Sequence, residues 1–143
     1  MTLDVQQKTE LLHGVSILSD ASDASLRALA ERTGEQEFAA GRHIVGQGQV
    51  GNGLYLVVSG SVRVVRGDEE LARLGPGEVF GELTVIDQMP RLASVVAEAP
   101  TVCLLLAAWD FLEIVESDPK LALGVMKGLA ARLRTSGEQH RHW

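Results

Sequence analysis

The residues from Gly75 to Val95 have the clearest chemical potential in this chain. Glycines recur in the stretch Gly75–Gly81, Glu82 follows directly, and Arg91 comes after Pro90. Glycines let a backbone approach a ligand, an arginine supplies a permanent positive fork, and a glutamate accepts hydrogen bonds from hydroxyl groups. We therefore interpret the segment as a cradle for a small anion with hydroxyls, such as a phosphodiester joined to a sugar. A surface turn with a solvated glutamate is the structural alternative.

A second glycine pattern, Gly46-Gln47-Gly48-Gln49-Val50-Gly51, has the spacing of a dinucleotide-binding loop. That loop functions only where it follows a strand and opens a helix, and here the strand-forming run Leu54–Val58 comes next. We therefore predict no dinucleotide site. A P-loop sequence is also absent, so we predict no ATP or GTP hydrolysis.

Catalytic and metal-binding constellations are not indicated either. Ser59 and Ser61 flank Gly60 without forming a nucleophile elbow, and Cys103 lies in an apolar run that predicts burial. The histidines are scattered along the chain, which predicts surface positions rather than a metal site: His13, His43, His140 and His142. We expect a protein that is not an enzyme and needs no metal or cofactor.

Composition limits the class of protein. The chain has 143 residues, of which 45% are apolar, which suits one domain and is too short for two. The formal charge of −6 argues against direct nucleic-acid binding. The longest apolar run, Val102–Trp109, is far below the roughly 18 residues of a membrane span. A lone cysteine in a chain with a polar start favours the cytoplasm.

The pattern of apolar residues predicts a helix, β-roll, helix order within residues 1–143. Residues 1–37 have helical spacing, residues 38–108 have short strand-like runs, and residues 109–137 return to helical spacing before a tail at 138–143. Glycines punctuate the middle part and predict tight turns rather than helices there. The strand-like runs are Leu54–Val58, Val62–Val65, Leu71–Leu74, Val95–Val96 and Thr101–Leu106.

The last predicted helix has the a/d spacing of a coiled-coil seam, formed by Ala122, Met126, Leu129, Leu133 and Ser136. One interpretation is a homodimer through Met126, Leu129 and Leu133. The other is that the same stripe packs on the roll of its own chain, since Gly124 and Gly128 weaken the helix.

Two motifs occur in the same order as in a known family. In their order and spacing, they resemble those of the cyclic-nucleotide-binding domains of bacterial catabolite activator proteins and of regulatory subunits of cAMP-dependent protein kinase. The stretch Gly53–Val62 is similar to the glycine turn and strand of that family. Phe80-Gly81-Glu82-Leu83 with Pro90-Arg91 is similar to its phosphate-binding cassette, here residues 75–95. The resemblance implies a mainly β fold with flanking helices, a double-stranded β-helix or jelly-roll.

The resemblance also implies roles for individual residues. Arg91 would pair with the cyclic phosphate and Glu82 would accept from the ribose 2′-hydroxyl. The backbone around Gly81, Leu83, Leu92 and Ala93 would complete the cradle. Apolar packing around the purine and sugar would come from Val64, Leu71 and Ala72, although core packing explains the same residues.

Leu92 departs from the family, which usually has a small or hydroxylated residue there. Threonine at that position is associated with cGMP, so we expect cAMP as the ligand and cGMP as the second choice. In the family, binding moves the C-terminal helix over the base. We therefore expect a base lid, that is, residues of this helix and the tail that cover the base of the nucleotide. Thr135 or Ser136 would donate a hydrogen bond to the base, or Trp143 would stack on it.

We expect a cyclic nucleotide sensor that couples binding to movement of the C-terminal helix. Family members have an effector beside this domain, and these residues leave no room for one, so the effector is expected in another protein or domain. The alternative function is a degenerate roll that serves as a dimerisation or interaction module and binds no nucleotide.

Overall fold

Two antiparallel sheets form the β-roll in the computed structural model, which describes residues 2–51 and 53–139 except the side chains of residues 136–139. The first sheet has the strand order β1-β8-β3-β6 and the second β2-β7-β4-β5. The strands are β1 Gly34–Phe38, β2 His43–Val45, β3 Gly53–Ser59, β4 Val62–Arg66, β5 Glu69–Leu74, β6 Val79–Phe80, β7 Ser94–Ala97 and β8 Thr101–Ala107.

The side chains of β3 and β8 divide between two cores because successive residues of a strand face opposite sides. Leu56 and Leu104 belong to a cluster shared with the helices. Val57 and Cys103 belong to a cluster inside the roll. The predicted mainly β fold with flanking helices is therefore confirmed.

Helices cover the outer side of the first sheet. They are α1 Val5–His13, α2 Asp23–Arg32, α3 Glu82–Asp87, α4 Ala108–Ser117 and α5 Pro119–Gln139, with a 3₁₀ turn at Ser16–Leu18. Ser22 caps α2 by accepting from the Ser25 N–H. Leu26, Leu29 and Ala30 of α2 are buried on one side, as their spacing predicts.

Two expected boundaries are wrong, and one helix was not expected. The helical segment does not extend to residue 37, because α2 ends at Arg32 and Gly34–Phe38 pairs with β8. This edge strand is mostly exposed, so it lacks the alternation that identifies a strand. Helix α3 lies inside the predicted roll, where no helix was expected. Helix α5 continues through Gln139, so the expected tail from residue 138 begins too early.

Helix α5 packs closely, through two glycines, on the 3₁₀ turn and on the residues that follow it. A methyl group at Gly128 would lie 2.7 Å from Cγ2 of Ile17, and one at Gly124 would lie 2.9 Å from Cβ of Asp20. The small residues therefore allow this close approach. None of the helices in the described part of the chain has both the length and the apolar composition that a membrane span needs.

Candidate ligand-binding site

A cavity of about 630 Å³ lies where the roll, the 75–95 cassette and the helical segments meet. Val64 and Ala72 line it from the second sheet, Glu82 and Arg91 from the cassette. The 3₁₀ turn and α5 also contribute, through Ser16 and Arg132. Its size suits a small organic ligand.

The cassette positions Glu82 through a short helix. Gly81 precedes α3 with a φ of 88°, a left-handed conformation that glycine adopts without strain. Glu82 is the first residue of α3, and Gln88 ends the helix with its N–H donating to Thr84 O. This conformation of the cassette directs Glu82 towards the protein interior. Only 4% of the Glu82 surface is exposed.

Arg91 is a buried cation at the other side of the cassette. It is 8% exposed, and its Nη2 donates to the carbonyl oxygen of Gly53 at 3.0 Å. Burial lowers the pKa of its guanidinium, and the nearby Tyr55 partly opposes this shift. An arginine does not lose its proton in proteins, so the buried charge attracts an anion instead.

The Glu82 carboxylate has one oxygen paired and one free. Its Oε1 accepts a hydrogen bond from Nη1 of Arg132 on α5. Its Oε2 is buried and has no partner among the described residues. Because burial of an unpaired acceptor is costly, this oxygen requires a donor, and the cavity is the space from which a ligand can supply one. Burial also lowers the pKa of Arg132.

Most of the predicted site residues do meet at the cavity. Besides Glu82 and Arg91, the lining includes Gly81, Leu83, Leu92, Ala93, Val64 and Ala72. Leu92 is 51% exposed at the cavity wall.

Leu71 is not part of this lining, in contrast to the expectation. It packs against the cluster inside the roll. The register shifts here, since Val64 pairs with Ala72 and Val65 with Glu70, so Leu71 forms a bulge.

The base lid expected from Thr135, Ser136 or Trp143 stays a prediction. Thr135 is exposed, donates to the Ala131 carbonyl at 3.1 Å, and does not line the cavity. The side chain of Ser136 and the whole of Trp143 lie outside the described residues.

Sequence reasoning missed Arg132 and the contribution of Gly14–Ser16 to the cavity wall. The available signal for Arg132 was one basic residue directly after the apolar run Leu129-Ala130-Ala131. A basic residue on a helix is usually solvated, so this signal is weak.

The glycine loop, two of the histidines and the cysteine lie where their sequence context predicts. The loop Gly46–Gly51 leads into β3 and opens no helix. His13 and His43 are exposed, while His140 and His142 lie outside the described part. No metal-ligating cluster is present among the described residues. Cys103 is buried, which raises the pKa of its thiol to about 11.

Comparison with known proteins places these features in a family. The model of the cyclic nucleotide-binding domain matches residues 35–118, which include Glu82 and Arg91. The cyclic AMP receptor protein of Thermus thermophilus is 43% identical over 102 residues, which are 68% of this chain and 47% of that protein. This chain thus spans about half the length of that relative.

Solved structures agree in fold. The Thermus thermophilus catabolite activator protein matches with a TM-score of 0.77 and 34% identity over 87% of this chain and 61% of that chain. The regulatory domain of Toxoplasma gondii PKA, crystallised with cAMP, matches with a TM-score of 0.76 and 26% identity, covering 88% of this chain and 50% of that one. The resemblance of the two sequence motifs is therefore confirmed, and the chain belongs to the cyclic nucleotide-binding domain family.

Proposed function

We propose that this chain is a sensor domain that binds cAMP in the cavity beside Arg91 and Glu82. The observation that carries the proposal is that two buried groups line the same cavity. One is the guanidinium of Arg91, and the other is the carboxylate of Glu82, one oxygen of which has no hydrogen-bond partner among the described residues. A cyclic nucleotide provides an anionic phosphodiester and a neighbouring ribose hydroxyl. It therefore complements both groups, and the domain acts by binding rather than by catalysis.

Arg91 pairs with the cyclic phosphate in this proposal. Its guanidinium has five N–H donors in a fork that matches phosphate oxygens, and one of these donors is held by Gly53 O. No carboxylate lies within ion-pair distance of Arg91 among the described residues. The ligand phosphate is thus its natural counter-charge.

Glu82 accepts a hydrogen bond from the ribose 2′-hydroxyl through Oε2. Since Arg132 already occupies Oε1, the ligand does not have to displace this ion pair. The carboxylate then connects the ligand on one side to helix α5 on the other.

The choice of cAMP over cGMP depends on Leu92 and on the relatives. Leu92 lines the cavity and has no hydroxyl with which to hold a guanine. The Thermus relative is named for cyclic AMP, and the Toxoplasma domain was crystallised with cAMP. We therefore propose cAMP as the preferred ligand and cGMP as the weaker one.

Coupling to α5 follows from the Arg132–Glu82 pair. A ligand that fixes the Glu82 carboxylate also fixes its Arg132 partner, and so biases the position of α5.

Calorimetric titration of nucleotide-stripped protein with cAMP, and separately with cGMP, tests the proposal. We expect saturable binding of cAMP, weakened roughly 30-fold to several thousand-fold in Arg91→Ala, because removing one partner of a buried charge pair costs about 2–5 kcal/mol. The control is Arg27→Ala, since Arg27 is an exposed residue of α2 paired with Glu31. Absence of binding at millimolar nucleotide, or equal affinity of Arg91→Ala, would contradict the proposal.

The second candidate function is a dimerisation module, favoured by an exposed apolar stripe on α5. Met126 is 59% and Leu133 64% exposed, and Leu123 and Ala130 lie on the same side. Leu129 packs on the core of its own chain, so it does not belong to the stripe. A dimer through this stripe is compatible with a sensor, and it becomes the main function if no nucleotide binds.

A further inference from the structure

The loop Gly46–Gly51 between β2 and β3 holds the backbone of Arg91 from both sides. The N–H of Gly48 donates to Arg91 O at 2.8 Å, and the N–H of Arg91 donates to Gln49 O at 2.8 Å. The loop that mimics a dinucleotide fingerprint is thus bonded to the cassette arginine.

The guanidinium of Arg91 lies in a pocket made by glycine backbone. Nη2 donates to Gly53 O. A methyl group at Gly51 would overlap Nη2, Cζ and Nε of Arg91, so the guanidinium lies directly against the Gly51 backbone. A methyl group at Gly81 would lie 2.6 Å from Nη1. The fork is therefore enclosed by Gly51 and Gly81.

Space, rather than backbone conformation, requires glycine at position 51. Gly81 has a φ of 88°, so any side chain there is strained whatever the space. The φ of Gly51 is not in the left-handed region. Alanine at position 51 therefore meets no left-handed φ, and the three atoms nearest to its methyl group all belong to the Arg91 side chain.

We propose that Gly51 is a positioning residue for Arg91: its missing side chain allows the guanidinium to lie against the loop and face the ligand phosphate. The inference rests on the proposed function for its effect on binding, but the contact itself exists without a ligand. Alanine at position 51 pushes the fork off Gly53 O and out of its alignment with the phosphate. A flat, bidentate fork is sensitive to such a displacement.

The first experiment is a thermal unfolding cycle without ligand. It compares Gly51→Ala, Arg91→Ala, and the double variant Gly51→Ala/Arg91→Ala with the parent. We expect Gly51→Ala to lower the Tm by at least about 3 °C when Arg91 is present and by less than about 1 °C when Arg91 is replaced. Equal losses in both backgrounds would overturn the proposal, because distortion of the loop alone does not depend on the guanidinium. If Gly51→Ala fails to fold, folding of the double variant supports the proposal and its failure overturns it.

The second experiment is calorimetric titration of Gly51→Ala with cAMP. The matched control is Gly34→Ala, since a methyl group at Gly34 meets no atom within 4 Å and its backbone is not left-handed. We expect at least about a tenfold loss of affinity in Gly51→Ala and less than about twofold in Gly34→Ala. Unchanged affinity in Gly51→Ala overturns the inference. If the parent binds neither nucleotide, the proposed function fails, and the thermal cycle still decides whether Gly51 positions Arg91.

Discussion

Arg132 of α5 donates a hydrogen bond to Glu82 of the cassette, although the two residues are 50 positions apart in the sequence. Both residues line the cavity, and the second carboxylate oxygen of Glu82 is buried without a partner among the described residues. One carboxylate is therefore placed to contact a ligand and a helix at the same time. Every step from ligand to α5 in the proposed function depends on this contact.

Replacing Arg132 by alanine should separate binding from helix response. We expect saturating cAMP to slow amide hydrogen exchange in α5 at least about tenfold in the parent and less than about threefold in Arg132→Ala, because the link to Glu82 is lost. The control is Arg134→Ala, an exposed residue on the same helix. Hydrogen exchange with mass spectrometry measures both. Equal protection of α5 in Arg132→Ala and the parent would contradict the coupling.

Glu82→Gln should affect only ligands that have a ribose 2′-hydroxyl. The amide keeps the shape of the side chain but removes the negative charge, and hydrogen bonds to charged groups contribute about 1.5–3 kcal/mol. We expect cAMP affinity to fall roughly 10- to 150-fold and the affinity for 2′-deoxy-cAMP to change less than about threefold. Calorimetric titration with both nucleotides is the measurement. Parallel losses for the two ligands would show that Glu82 does not contact this hydroxyl.

The cassette was identified through its resemblance to a family motif, and the amphipathic helices through the local spacing of their apolar residues. Glu82 and Arg91 are close in sequence, so one motif identifies both, and the spacing of Leu26 and Leu29 indicates a buried helix face directly. Strand β8 was predicted because its apolar run is uninterrupted.

Features that depend on tertiary contact could not be predicted in this way. Arg132 resembles any solvated helical arginine until α5 folds back on the cavity. Strand β1 is an exposed edge, so pairing with β8 rather than its own pattern defines it. Helix α3, Glu82–Asp87, is too short to show a helical period. The bulge that removes Leu71 from the cavity is likewise a property of strand pairing.

The exposed stripe on α5 predicts a dimer that a single charge disrupts. We expect Met126→Glu to convert a dimer into a monomer without a large change in stability, because Met126 is exposed in the isolated chain. Sedimentation equilibrium at tens of micromolar protein measures the state. Leu129→Ala is the contrasting variant, since Leu129 packs on its own core and its loss should lower the Tm. A parent that stays monomeric at these concentrations would refute the dimer.

We expect the buried thiol of Cys103 to make the free energy of unfolding depend on pH in the alkaline range. Burial raises the pKa of its thiol from 9.0 to about 11 in the folded chain. The folded state therefore keeps the proton where the unfolded state loses it. This contribution to stability is fully present below pH 9 and is lost as the pH rises towards 11, by about 2–3 kcal/mol in total.

Urea unfolding of the parent and of Cys103→Ala at pH 8, 9, 10 and 10.5 measures this effect. The alanine variant is less stable at pH 8 because it leaves a small cavity in the roll, but it has no thiol to titrate. We therefore expect the difference in free energy of unfolding between the two proteins to shrink steadily above pH 9. Alkaline groups away from Cys103 titrate in both proteins and cancel in the difference, whereas the pKa of Tyr55 is raised by burial and in part by the Cys103 thiolate, and this part belongs to the same effect. A constant difference across this range would show that the thiol is not held protonated by burial.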